Sequence, residues 1–302
     1  MPSLKAIRKR IASTKATQKI TRAMKMVAGA RLTRAQQRIV AMRPYALKTG
    51  EVLHSVASTM TSSAESTDGK LHALLAVRPE KKAVYVVLSA DRGLCGALNT
   101  NVNKTAERAW REKQKEGVEV SFATLGRKGR EYLLRRSAPV VQDFPRIYDG
   151  LDLGKARPVA RWLVPRFERG EFDAAYVIFT EFKSAMTQTV TLSRLLPLGK
   201  GPSPNEAPPS GAGVGPTEFI FEPTQQALLE RLVPMYVEIS LYRALLESHA
   251  SFFGAQMTAM DAATRNAKEM IGRLTLSYNR ARQAAITKEL MEIIGGAEAL
   301  KD

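Results

Sequence analysis

Acid is missing where base is most abundant. Met1 to Gly50 holds thirteen Lys or Arg and no Asp or Glu, the first acid being Glu51. Cysteine is almost absent too: Cys95 stands alone, which excludes an internal disulfide and a multi-cysteine zinc site. His54, His72 and His249 lie too far apart in sequence for metal-ligand spacing, so no metal is expected. No run of 18 apolar residues exists to span a bilayer, and the N-terminus lacks the apolar core of a secretory signal. An Arg-rich, acid-free start also fits a mitochondrial transit peptide, but its periodicity outlasts such a segment. No aromatic residue precedes Tyr45, so the basic stretch offers no stacking platform for single-stranded nucleic acid. Helix breakers are scarce as well: neither Gly nor Pro occurs between Ser3 and Ala28, and only Gly29 intervenes before Pro44.

What is present is periodicity. Leu4, Ile7, Ile11, Ile20, Met24, Val27, Ala35, Ile39, Met42 and Ala46 recur mostly at steps of three and four, the spacing of one helix face. A helix capped by Ser3 and running to near Arg43, with a kinked extension past Pro44, would be about 45–55 residues and roughly 70–80 Å long. That is too long to pack wholly within one small domain. The net charge of +17 is concentrated there, because from Thr224 onward nine bases balance nine acids. A basic block of this kind points to an acidic partner: nucleic acid, anionic lipid or an acidic protein surface.

Ser58 to Gly69 reads as a polar loop. Ala83–Leu88, Val118–Leu125 and Ala174–Phe179 read as strands, the first and third as short apolar runs buried on both faces. Met186–Leu196 reads as a fourth strand with one exposed face. Helices are expected at Leu98–Lys115, Lys128–Arg135 and Ala156–Glu168, the last trimmed or bent by Pro158 and Pro165. This alternation predicts an open α/β sheet. The Pro/Gly/Ser-rich insert at 199–216 reads as a flexible loop, and Phe219–Phe221 as a last short strand. From Thr224 a second helical stripe runs through Val237, Leu241, Leu245, Phe252, Ala255, Ala263, Ala267, Met270, Leu274, Tyr278, Ala281, Ala285 and Leu290. It is weakened at Gly254 and Gly272 and stopped at Gly295–Gly296. Two such stripes bury each other most simply as an antiparallel coiled coil. The expected organisation is an N-terminal coiled-coil helix at 1–58, an α/β domain at 80–222 and a C-terminal coiled-coil helix at 224–302.

Candidate chemistry is thin. The turn Asp91–Gly96 lacks both the three-glycine dinucleotide spacing and the Gly-Lys-Ser/Thr ending of a phosphate loop, so it reads as a tight turn packing helix on strand. Cys95 has no histidine nearby in sequence and reads as a buried structural thiol. Met24, Met26, Met257, Met260, Met270 and Met291 read as packing residues of the stripes. No catalytic residue and no cofactor is expected.

Motifs at both ends and in the centre carry a resemblance. They are Ile7-Arg8 to Ile11, Thr17 to Ala28 (TQKITRAMKMVA), Arg43-Pro44-Tyr45, Ser89 to Leu98 (SADRGLCGAL), Met257 to Met260, Asn266-Ala267, and Leu274 to Glu289, closing at Gly295-Gly296. In these the chain resembles the gamma subunit of F-type ATP synthases. The resemblance implies an antiparallel coiled coil of the termini beside a Rossmann-like open α/β domain. It implies a non-catalytic central rotor shaft that couples proton translocation to nucleotide chemistry on catalytic β subunits. The partners implied are the α and β subunits of the ring, the epsilon subunit and the membrane c-ring. No nucleic acid is implied, and membrane contact would come only through the complex, at the cytoplasmic face of a bacterial inner membrane. Met24 with Lys25, and Gln283 with Thr287, match positions that meet the β subunit; Gln256 stands where the family often has Arg. Chloroplast relatives carry a cysteine-pair insert, whereas the insert here has none, so no redox control is expected. The runner-up reading is a nucleic-acid or anionic-surface binding protein using the basic helix.

Overall fold

The computed structural model describes residues 3–63, 74, 76–198 and 225–298. In chain order the elements are α1 (Leu4–Ser63), β1 (Lys82–Leu88), α2 (Leu98–Lys115), β2 (Glu119–Leu125), α3 (Arg127–Leu134), β3 (Val140–Phe144), α4 (Leu153–Glu168), β4 (Ala174–Phe182), β5 (Gln188–Leu196) and α5 (Gln225–Glu298). They form two compact units, Arg31–Ala255 and the terminal pair Met1–Ala30 with Gln256–Asp302. The insert at 199–216 and the strand expected at Phe219–Phe221 lie outside the described residues.

In the larger unit the five strands are ordered β3-β2-β1-β4-β5. β1 pairs in parallel with both β2 and β4, β2 pairs in parallel with β3, and β5 closes one edge antiparallel to β4. Alternation along β1 splits the core into two layers. Val84, Val86 and Leu88 face α4 (Val159, Leu163, Phe167) and α5 (Val237, Leu241, Leu245), with Ile39 and Met42 of α1 against the same layer. Ala83, Tyr85 and Val87 face α2 (Val102, Ala106, Ala109) and Leu133 of α3. Helices on both faces of a mostly parallel sheet define the Rossmann-like class.

Several elements differ from the sequence expectation. β3 was not expected: Gln142 and Asp143 interrupt its apolar pattern, and as an edge strand it is only half-buried. Its Asp143 Oδ1 accepts from Thr124 Oγ1 at 2.8 Å. α4 starts three residues early because Asp152 caps it, accepting from the Lys155 amide at 3.1 Å. α1 continues through Pro44 to Ser63, so the first part of the expected loop at Ser58–Gly69 is helical, and 64–69 lie outside the described residues. α5 runs through Gly295–Gly296 to Glu298, 74 residues in all. The Ser3 cap is present, with Ser3 Oγ accepting from the Ala6 amide at 3.3 Å.

The turn after β1 spends its polar groups internally. Ser89 Oγ accepts from the Gly129 amide at 2.7 Å, Asp91 Oδ1 from the Arg127 amide at 3.0 Å, and Asn99 Oδ1 from the Ala90 amide at 3.0 Å. Gly126 has φ +100, and a Cβ there would meet Ser89 O at 1.9 Å, so no other residue fits. Cys95 is buried against Leu98, Phe252 and Ala255, and burial pushes its thiol pKa up. The expected tight turn and inert thiol are what the structure contains.

The two glycines of α5 differ. A Cβ on Gly254 would lie 3.3 Å from Ala185 Cα and 3.3 Å from the Phe182 ring, whereas nothing lies within 4 Å at Gly272. Gly272→Ala should therefore stabilise the chain by up to about 1 kcal/mol. Gly254→Ala should give no such gain, and urea melts of the two variants compare them directly.

His249 stacks on Tyr148 (ring centroids 5.7 Å apart, 10° between planes) and meets the edge of Phe253. Burial, reinforced by Arg38 and Arg31, lowers its pKa to about 4. The neutral form is favoured in the fold, so its contribution is present above the ordinary pKa and is lost as pH falls from 6.5 towards 4. Between pH 7 and pH 5 it should cost about 2 kcal/mol, and His249→Phe should remove that component in denaturant melts at the two pH values. Glu247, two residues before it on α5 and buried, has its pKa raised by burial and works in the opposite direction, so the comparison with the variant isolates the histidine.

Candidate functional site

In the terminal unit α1 and α5 run antiparallel. Met257 lies 3.5 Å from where a Cβ would stand on Gly29, Lys25 binds Asp261, Thr21 binds Thr264 at 2.8 Å, and Thr14 reaches Met270 at 3.9 Å. As position falls on one helix it rises on the other. Covered positions of α1 at alternating steps of three and four are Leu4, Ile7, Ile11, Thr14, Gln18, Thr21, Lys25 and Ala28, with Met24 and Gly29 half-buried beside them. The same alternation continues on α1 within the larger unit, through Leu32, Ala35, Ile39, Met42, Ala46 and Thr49. On α5 it runs through Met260, Thr264, Ala267, Ile271, Leu274, Tyr278, Ala281 and Ala285. A strict 3.5-residue repeat is the signature of a left-handed coiled coil.

The seam keeps most of the stripe expected from hydrophobicity, with Leu4, Ile7, Ile11, Met24, Ala35, Ile39, Met42 and Ala46 all covered, and departs from it at two positions of α1. Ile20 and Val27 are 59% and 53% exposed, while Thr21, Ala28 and Leu32 are buried in their neighbourhood. Of the methionines read as packing residues, Met260 is buried, but Met26, Met270 and Met291 are exposed. The cause is that α1 places Thr14, Gln18, Thr21 and Lys25 on its seam, and a hydrophobicity reading passes over them. Asp261 and Thr264, their counterparts, were also missed. Asp261 is the only acid between Glu247 and Glu269, which was the available signal.

The charge divides accordingly. Lys25 is the one cation of the first thirty residues with an ion pair among the described residues. Lys5, Arg8, Lys9, Arg10, Lys15, Lys19 and Arg22 are all exposed and have no such pair there. Lys15 and Lys19, with Gln18, Lys268 and Ile271, line an open cavity of about 360 Å³ beside the seam.

The residues singled out by resemblance fall in three places. Met24 and Lys25 are adjacent and half-buried on α1, and Gln256 is half-buried on α5. Gln283 and Thr287 are exposed one turn apart on the same face of α5. Carried on at the same step, the antiparallel register uses up α1 near position 280 of α5. The rest of α5, including Gln283 and Thr287 and the exposed Ile286, Leu290, Met291, Ile293 and Ile294, extends past the described residues of α1 in that register. Among the described residues there is no cluster of three His, Cys, Asp or Glu placed to hold a metal, and no helix long and apolar enough to cross a membrane.

A coiled coil with a basic exterior and an exposed apolar end, joined in one chain to an α/β unit whose turn after β1 spends its polar groups internally, defines an interaction subunit of a larger assembly. Comparison with known proteins gives the family. The ATP synthase family model matches residues 3–300. The chain is 54% identical to the ATP synthase gamma chain of Sorangium cellulosum and 47% identical to that of Geobacter metallireducens, each match covering all of both chains. Its fold matches a chain of the Euglena gracilis mitochondrial ATP synthase with a TM-score of 0.63, at 18% identity, over 98% of this chain and 94% of that one. A chain of the Tetrahymena thermophila central stalk and c-ring structure matches with a TM-score of 0.60, at 20% identity, over 81% of this chain and 99% of that one. The chain belongs to the ATP synthase gamma family. It is the non-catalytic central-stalk rotor, and the reading as a nucleic-acid binding protein has no support.

Cys95 should resist thiol reagents in the folded chain and react on unfolding. Its single buried thiol provides no partner for a switch, so pre-treatment with reductant or oxidant should leave ATPase activity of the reconstituted complex unchanged.

Proposed function

We propose that this rotor couples proton translocation through a membrane c-ring to ATP synthesis and hydrolysis at β subunits. In that reading it stands within a ring of α and β subunits, meets an epsilon subunit, and works at the cytoplasmic face of a bacterial inner membrane. The helices at 1–58 and 224–302 would form the shaft, and 80–222 would join the remaining partners. The observation that carries this reading is the set of seven cations between Lys5 and Arg22 that are exposed and have no ion pair among the described residues. Coulombic attraction to acidic loops of the surrounding subunits would hold such a surface across many orientations without one fixed lock.

Met24, Gln256, Gln283 and Thr287 are the proposed contacts with the β subunit. Gln283 and Thr287 suit that role through their exposure on one face beyond the end of α1. Their apolar neighbours Ile286, Leu290 and Ile293 offer further area for a partner to cover, since an exposed apolar cluster marks an interaction surface. Gln256 gives a neutral contact where an Arg would give a charge-assisted one.

Reconstitution with the α and β subunits tests the reading. The chain should co-purify with the ring and support ATP-driven rotation. Purification with nucleic acid in a salt-dependent way, and without the ring, would overturn it. Because the charge is distributed, a single Lys→Gln change at Lys15 or Lys19 should alter assembly by less than about threefold. Changing Lys15, Lys19 and Arg22 together should weaken it by about tenfold or more at low salt, with the difference shrinking as salt rises.

A further inference from the structure

Lys25 differs from every other cation in the first thirty residues because it occupies a seam position, four residues after Thr21 and three before Ala28. A side chain there reaches the facing helix, and that of Lys25 does so while 43% of it stays exposed. Its ammonium donates to Asp261 Oδ1, and the second oxygen of that carboxylate lies 3.5 Å from Arg265 on the next turn of α5. Asp261 is thus a bridge between a cation of α1 and a cation of its own helix. The two bases hold its carboxyl below the usual carboxylate range, the Lys25 hydrogen bond contributing most. One turn away Thr264 Oγ1 donates to the Met260 carbonyl at 2.7 Å and pairs with Thr21 Oγ1. One turn in the other direction Gly29 leaves room for Met257. Around this layer the seam is built of small residues, Ala28 and Ala267, which interlock weakly and resist sliding poorly.

We propose that Lys25 is a positioning residue, acting through Asp261 to clamp α1 to α5 at this level of the shaft, and that it does not touch the ring. The outward charge at this level then belongs to Arg22, which is exposed and unpaired among the described residues. The clamp can be read in the isolated chain and does not rest on which subunit surrounds it. A polar contact on an otherwise weakly shaped seam fixes the relative placement of two helices, which a shaft under torque requires.

A double-mutant cycle separates a clamp from a partner contact. In the reconstituted complex, Asp261→Ala should reproduce the loss of ATP-driven rotation rate caused by Lys25→Ala. The double variant should be no worse than either single one, and the exchange Lys25→Asp with Asp261→Lys should recover the rate to within about twofold of the parent. In the isolated full-length chain, the same exchange should restore a thermal midpoint lowered in both single variants, so a defect of assembly is separable from a defect of the clamp. The salt dependence of ring association should be shifted by Arg22→Ala and left as it was by the Lys25→Ala, Asp261→Ala pair, which keeps the net charge. The proposal is overturned if Asp261→Ala is silent where Lys25→Ala is not. It is equally overturned if the exchanged pair behaves like Lys25→Asp alone, or if removing the pair flattens the salt dependence as Arg22→Ala does.

Discussion

The structure depends on a seam shared by two helices from opposite ends of the chain. Along α1 and α5 the covered residues keep a step of three and a half, and that step decides which side chains face inward and which are left for partners. Had α1 kept the apolar line of Ile20 and Val27 inward, Lys25 would face out and Thr21 would lose Thr264. Because the seam instead accepts Thr14, Gln18, Thr21 and Lys25, apolar Ile20, Met26 and Val27 stand among the exposed bases. The outer surface of the terminal unit is therefore both basic and locally apolar, a mixture suited to a neighbour that is charged and also makes contact.

The α/β unit follows a different logic. Its sheet is covered on both faces, its turn after β1 binds its own amides, and its cysteine is sealed. The positions where a doubly wound sheet ordinarily receives a ligand, beyond the carboxyl ends of its strands, are here occupied by the packing of Cys95 and Leu98 against Phe252 and Ala255 of α5. At the carboxyl end of β1 the chain packs its own helix α5 against the turn. That agrees with a subunit that hydrolyses nothing itself.

Much of this was legible in the residues. Apolar runs such as Ala83–Leu88 permit only a buried strand, and the length of the basic helix requires a covering partner. The lack of a phosphate loop weakened the case for nucleotide chemistry on this domain. What escaped was decided by marginal patterns. Val140–Phe144 is too short and too polar to announce a strand, and it exists because the edge of β2 offers hydrogen bonds. The Asp152 cap lies outside the apolar period that suggested α4. Pro44 and Gly295–Gly296 argue locally for ends, but a proline forfeits one helical hydrogen bond and a glycine about 1 kcal/mol, and a long helix absorbs both.

By itself the sequence determined the class of every described element but β3, the antiparallel pairing of the ends and the sign of the surface charge, because these follow from period, length and composition. The tertiary structure alone decided which polar positions, Thr14, Gln18, Thr21 and Lys25, complete the inside face of α1 in place of Ile20 and Val27. Hydrophobicity ranks Ile above Thr and Lys wherever they stand. A seam is chosen by what the opposite helix presents, and opposite Lys25 stands Asp261.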